Sequence, residues 1–581
     1  MKVISIIEFS DKIDKYSFDS RYIVSIEKKD IDIYEISIKK NARHIEKFYE
    51  NKIKSLSVCV GRNGSGKTRL LTKLVNYSNK NFYDMNFVFI IEINKKLFYW
   101  SSINLQLDFI CEEGIEIQYG NYVNPLEDTK IIFLSNNLEY NNYFLIEKEN
   151  SFSDFSVTTI LENTNLETYR NNLMSKQMEF IFKDLEKNFD NGIVKKFELD
   201  SRINLFKPSV DEAYNDYFKS NSIIYKKIME EVSNLTKHDF NSPSIFFDIN
   251  KQFVCNYLYQ DNVKNHLVFR DSLASFLGYN VLKPEKTLVK KVTRKSIVDY
   301  FNKTYFYDNE EKELQLLKQK LFLKNLEKTS IQLDNNFLQF DISELVELED
   351  VELTKLNEEK LSEDIFFFLE KKWKAISSGE NSLLSIFSNI YEGTKDITQS
   401  NVLILLDEID VTLHPEWQRK FMNSLFMFLN THYSTSLDFQ IILTTHSPLI
   451  LSDIRNMDVN FLSKNDMLPN SINTFGGNLN ELMSESFFLE NGLMGEFSSN
   501  KIKEIIKEIN DGVITTKRSK ELEGIINEIG EVVIRKSLKY SMKNLMVKAE
   551  NRQSKLNRLQ EEKEKIEKQI QILKDRDKNN D

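Results

Sequence analysis

Cysteine is scarce in this 581-residue chain: Cys59, Cys111 and Cys255 are its only three, and they stand far apart. Such spacing argues against both a disulfide framework and a cysteine-ligated zinc site. None of the six histidines pairs with another at the short spacing of a metal site, so no structural metal is expected. No apolar run approaches the roughly 18 residues of a membrane helix. Met1 to Ser10 lacks the basic–apolar–small layout of a signal peptide, so a cytoplasmic protein with no membrane partner is expected. Basic excess is missing too: the net charge of −10 argues against a nucleic-acid coat, although it leaves room for a local basic surface. What remains, 41% hydrophobic and 29% charged, suffices for a large core in two or three structural units.

Only 16 glycines are present, which makes their clustering at Gly61-Arg62-Asn63-Gly64-Ser65-Gly66-Lys67-Thr68 informative. This stretch fits the phosphate-loop pattern Gly-x4-Gly-Lys-Ser/Thr. Its glycines let the backbone N–H groups of Gly61, Asn63, Gly64, Ser65 and Gly66 wrap phosphates. Lys67 reaches the β- and γ-phosphates, and the Thr68 hydroxyl suits Mg²⁺. An apolar strand over residues 53–60 and a helix over 69–76 supply the context, because a helix N-terminus favours anions.

Residues 401–406 form an apolar run ending in Asp407-Glu408, the pattern of a buried parallel strand with acids at its carboxyl end. Asp407 is placed in the Mg²⁺ shell, and Glu408 orients or deprotonates the attacking water. A second buried strand at 441–444 delivers His446, 38 residues beyond Glu408, as a γ-phosphate sensor. Catalysis is therefore assigned to Lys67, Glu408 and His446, with ATP and Mg²⁺ as cofactors.

Ser377-Ser378-Gly379-Glu380 opens an apolar helix and makes a further helix-end anion site. It lies 309 residues after Thr68 and 30 before Asp407. In this order the motifs resemble an ABC-type ATPase, whose Leu-Ser-Gly-Gly-Gln signature closes on ATP held by another head. The resemblance implies that Ser377 and Gly379 act on a second copy's nucleotide, so a homodimer or higher oligomer through the ATPase heads is expected. The segments Ile409 to Gln418 and Thr444-Thr445-His446-Ser447-Pro448 resemble the RecF/SMC/OLD side of that superfamily rather than its transporters. Phe475 to Asn478, Ser486 to Leu489 and Gly495 to Phe497 are similar to the PtuA-type ATPase subunits of Septu anti-phage systems, which work beside an HNH nuclease. A Gln-loop is not obvious; the strand at 131–134 ends in Ser135-Asn136-Asn137, where asparagine can substitute.

The expected fold class is α/β: an ABC-type P-loop head with a mixed sheet and antiparallel β flank, a helical insertion and a C-terminal coiled-coil tail. Its boundaries are 1–157 for the first part of the head, 158–365 for the insertion, 366–480 for the second part and 481–581 for the tail. The insertion is too short, and too poor in heptads, for an SMC-type coil. A lysine-rich stretch from Lys283 to Lys295 reads either as a phosphate contact or as a solvated helix face. In the tail, Leu545, Ala549, Leu556, Leu559, Ile566, Ile570 and Leu573 follow heptad spacing, interrupted by Arg552 and Lys563. A coil with a partner helix, or a solitary charged helix, fits that pattern.

An intrinsic nuclease is not expected. A metal-binding nuclease domain after His446 needs strand-ending acids, yet the sole Asp-x-Asp there, Asp575-Arg576-Asp577, lies in the charged tail. The expected function is an ATP-hydrolysing sensor subunit of an anti-phage defence complex, controlling a separate HNH-type nuclease. The alternative is a RecF/SMC-like repair clamp binding DNA ends.

Overall fold

The computed structural model describes residues 1–206, 332–347 and 370–577, apart from 10–11, 31, 63, 79–85, 104, 121–127, 137–150, 165, 189–191, 334–336, 434–436, 463–472, 487–493 and 513. Asn63, Asn137 and the lysine-rich stretch 283–295 lie outside the described residues. The chain divides into two compact units, Met1–Phe488 and Leu489–Asp581.

In the first unit, β1 (Lys2–Phe9), β2 (Ile13–Ser17), β3 (Tyr22–Asp30) and β4 (Ile33–Lys40) come first. β5 (Ile53–Gly61) then runs through the phosphate loop into α1 (Lys67–Ser78). β6 (Phe87–Ile93), β7 (Lys96–Ser101), β8 (Gln106–Cys111) and β9 (Ile117–Tyr119) precede β10 (Thr129–Ser135), β11 (Phe152–Asp154) and α2 (Leu166–Asn188). β12 (Arg202–Phe206), β13 (Gln332–Leu333), β14 (Phe337–Asp341) and β15 (Glu370–Trp373) follow. The unit continues with α3 (Ser378–Thr394), β16 (Asn401–Asp407), α4 (Pro415–His432), β17 (Asp438–Thr444) and β18 (Val459–Leu462).

The central sheet is all parallel, in the order β11-β10-β16-β17-β5-β18. Its unbroken apolar strands are explained by two covered faces. Val402, Ile404 and Leu406 of β16 join Phe180 of α2, Phe387 of α3 and Phe421 of α4 in one core. The alternating Leu403 and Leu405 pack on the opposite side with Leu70, Leu71 and Leu74 of α1. Cys59 is fully buried there as a small core residue. The β flank lies in the N-terminal part, as a five-stranded sheet β2-β1-β6-β7-β9 and a three-stranded sheet β3-β4-β8. Their shared core holds Ile4, Ile7, Ile36, Ile38, Val88 and Ile90.

The described part of residues 158–365 contains both helix and strand. Its α2 is built into the main core, while β12, β13 and β14 form an antiparallel sheet with β15. Ser175, Gln177 and Lys371 are buried where α2 meets this sheet; Lys371 Nζ donates to Ser175 Oγ at 2.9 Å.

The second unit holds α5 (Glu496–Asp511), α6 (Thr516–Glu528) and the 46-residue α7 (Val532–Asp577). Ile502, Ile505 and Ile509 at helical spacing meet Leu522 and Ile526 of α6 and Leu538 and Met542 of α7. Gly512, at φ 71°, ends α5 in the left-handed conformation that glycine adopts without a Cβ clash. From Asn551 to Ile572 every residue of α7 is exposed.

Candidate active site

The register of the parallel sheet assembles the site. Ser135, Asp407 and Thr444 stand side by side at the carboxyl ends of β10, β16 and β17, with Cys59 of β5 beside Thr444. Ligands of open parallel sheets bind beyond such ends. The phosphate loop leaves β5 there. Gly64 and Gly66 have φ of +73° and +92°, a region strained for any residue with a side chain. Gly61 is glycine for a different reason: a Cβ would lie 2.5 Å from the carbonyl oxygen of Leu462 on β18. The Ser65 backbone N–H donates to the carbonyl of Arg62 at 3.1 Å, tightening the loop.

The residues placed here by sequence converge. The Thr68 hydroxyl donates to Asp407 Oδ2 at 2.9 Å, and Asp407 is fully buried. These are oxygen donors of the kind a hard divalent cation takes. Lys67, 4% exposed, brings Nζ to 3.3 Å from Glu408 Oε1. His446 Nε2 lies 3.2 Å from the same oxygen. His446 close beside it, helped by Lys67 and opposed by partial burial, holds the Glu408 carboxyl down at about 2. Glu408 is therefore ionised at neutral pH, with the Lys67 ammonium and the His446 ring both against its carboxylate.

Glu408 also has a left-handed backbone, φ 46° and ψ 40°. Such strain in a residue with a side chain persists only when its surroundings enforce it. Here its N–H donates to the Thr444 carbonyl at 3.2 Å and to Thr444 Oγ1 at 3.0 Å. Thr444 Oγ1 in turn donates to Asp407 Oδ1 at 2.6 Å. Thr444 thus fixes both acids, and sequence reasoning gave it no role. The same holds for Asp410, 3% exposed, whose Oδ2 accepts the His446 backbone N–H at 3.2 Å. Burial raises the Asp410 carboxyl above its ordinary value. The signal available for both was a polar side chain adjoining a strand end inside an otherwise apolar stretch.

Ser377 is exposed and caps α3 with a complete capping box. Its hydroxyl accepts from the Glu380 N–H at 3.3 Å, while Glu380 Oε2 accepts the Ser377 N–H at 2.7 Å. Gly379 is buried, and a Cβ there would lie 2.7 Å from Trp417 Cζ3 and 3.1 Å from the Thr412 carbonyl oxygen. The signature turn therefore rests on the segment that follows Glu408 in its own head. Asn136 takes part as well: its Nδ2 donates to Ser382 Oγ at 2.9 Å, and Ser382 is hydrogen-bonded to Thr412. Among the tyrosines near the flank, the Tyr22 hydroxyl donates to Glu92 and Tyr34 packs edge-on against Phe9.

Among the described residues no group of three or more His, Cys, Asp and Glu side chains forms a metal cluster, and no helix is long and apolar enough to cross a membrane. Two comparisons bear on the site. Residues 294–452 match the family model described as "AAA domain, putative AbiEii toxin, Type IV TA system". A stretch of 120 residues is 30% identical to the "Retron Vc95 probable ATPase" of Vibrio cholerae serotype O1 biovar El Tor, covering 19% of this chain and 22% of that protein. The chain thus spans about a fifth of the length of the curated relative it matches. The phosphate loop, the acid pair at a strand end, the neighbouring histidine and these similarities together support a P-loop ATPase domain in this chain.

Proposed function

We propose that this chain is the ATP-driven switch subunit of an anti-phage defence complex. In this reading Mg²⁺ sits between Thr68 and Asp407, and Lys67 grips the β- and γ-phosphates of ATP. Glu408 orients the attacking water, and His446 monitors the γ-phosphate while steering the Glu408 carboxylate. Ser377 and Gly379 of a second copy close over that nucleotide, so a head-to-head dimer forms with ATP and relaxes after hydrolysis. The dimer restrains or releases a separate effector, a nuclease of the HNH type, as in the PtuA-type subunits that the chain resembles.

The observation that carries the reading is the convergence of Lys67 and His446 on one oxygen of Glu408, within 3.3 and 3.2 Å. It ties phosphate binding, water activation and γ-phosphate sensing to one carboxylate. The exposure of Ser377 at the capped N-terminus of α3 supports the trans contact. The defence setting is supported by the similarity to the retron-associated protein and to the AbiEii description.

The test is co-purification of the tagged chain with neighbouring genes intact, followed by native mass determination with and without ATP. A stoichiometric nuclease partner and an ATP-dependent rise in mass are expected. A bare chain that shifts DNA ends when ATP is added would overturn the defence reading in favour of a repair clamp.

A further inference from the structure

We infer that α7 is an antiparallel pairing element, and that its partner is α7 of a second copy of this chain. Its seam starts inside the helical unit. Leu538, three heptads before Leu559, and Met542, four residues on, are buried against α5 and α6 at d and a positions. The same register continues outward through Leu545, Leu556, Leu559, Ile566 and Ile570. Beyond the unit's core these residues are uncovered: Leu556 is 48% exposed, Leu559 56%, Ile566 55% and Ile570 46%. A row of large aliphatic side chains in heptad phase along one charged helix is the pattern of a seam that a second helix covers.

The charges choose the occupant's direction. In a parallel self-pair, Glu562 at g meets Glu567 at e of the partner, Lys563 meets the partner's Lys563 at a, and Arg552 meets the partner's Arg552 at d. Three like-charge contacts in as many heptads oppose that arrangement. Reversing the partner removes them all. Leu559 then packs against the partner's Ile570, Lys563 against the partner's Ile566, and the same two layers repeat across the two-fold axis. The flanks become Glu562 beside the partner's Gln569 and Gln560 beside the partner's Glu567. Lys563 keeps a carboxylate in reach on its own helix, with Nζ 3.7 Å from Glu567 Oε1, so its stem covers the seam while its ammonium stays at the edge. The reversed pair leaves one like-charge flank, Lys555 beside the partner's Arg576, and sets Arg552 opposite the partner's Asp577, so the antiparallel direction is the better matched for a two-fold contact between identical chains.

This contact uses no nucleotide and does not rest on the head-to-head reading. The test is therefore made on the full chain without ATP, by sedimentation equilibrium at micromolar concentration. A dimer is expected, and Leu559→Glu with Ile566→Glu should return it to a monomer. Both sites are exposed in the single chain, so the variant should keep the parent's helical content and melting temperature. Direction is read by disulfide trapping in a chain lacking Cys111 and Cys255 and carrying Leu559→Cys and Ile570→Cys. Those positions are about 16 Å apart along one helix, too far to bridge internally. A 559–570 link between chains supports the proposal. A 559–559 link, or a parent chain that is monomeric without ATP, would overturn it.

Discussion

Replacing Gly379 by alanine probes the join between the signature turn and the catalytic acid. The added Cβ would sit 2.7 Å from Trp417 Cζ3 and 3.1 Å from the Thr412 carbonyl oxygen, against 3.4–4 Å for an ordinary contact. Restoring contact distance requires the half-buried indole to retreat by about 0.7 Å, or the start of α3 to lift by as much. Overpacking of this size costs about 1–3 kcal/mol. The strain falls on Thr412, which follows Glu408 by one turn and is hydrogen-bonded to Ser382. Turnover should drop further than stability alone accounts for, while nucleotide binding at the phosphate loop stays near the parent's. The assay is urea denaturation and ATP turnover of the parent, Gly379→Ala, Trp417→Phe and the double variant. The smaller ring makes room for the methyl group, so the cycle should show a favourable coupling of at least ~0.5 kcal/mol. Parent-like stability in Gly379→Ala, with additive behaviour in the cycle, would refute the packing argument.

Two further substitutions follow from the same geometry. Thr444→Val removes the donor to Asp407 and one acceptor of the Glu408 N–H, and should destabilise the fold by about 1.5–3 kcal/mol in denaturant titrations, as expected for a lost hydrogen bond to a charged group. His446→Gln should change the response to acid. The Glu408 carboxyl, held at about 2 chiefly by His446, contributes stability that is complete above its unfolded value near 4.3 and lost as pH falls towards 2. Without the imidazole that contribution shrinks, so the difference in unfolding midpoint between pH 6 and pH 3.5 should be smaller in the variant; an equal or larger difference would contradict the assignment.

Much of the site was legible because its parts are local in sequence. The phosphate loop, the acids ending β16 and the histidine after β17 each lie within a few residues of an apolar strand. Strand adjacency then brings them together, as the Asp407–Thr444 register does. The coarse α/β class followed from the same strands, whose alternate residues serve two cores. What sequence missed depends on side chains that meet only after folding. Thr444 looks like any strand threonine until its hydroxyl is found between Asp407 and the Glu408 N–H. The need for glycine at 379 comes from Trp417, 38 residues away, and from the Thr412 carbonyl. The antiparallel sheet of β12 to β15 was hidden for a related reason. Its strands are two to five residues long, and β12 lies far in sequence from β13, β14 and β15, so the runs are too short to stand out as strands.

The central claim is that Glu408 serves water while Lys67 and Thr68 serve the nucleotide. Steady-state ATP turnover and nucleotide affinity, measured side by side for the parent and Glu408→Gln, test it most directly. A loss of about 10²–10⁴ in turnover with affinity retained is the expected outcome. Turnover equal to the parent's would contradict the account and remove Glu408 from catalysis.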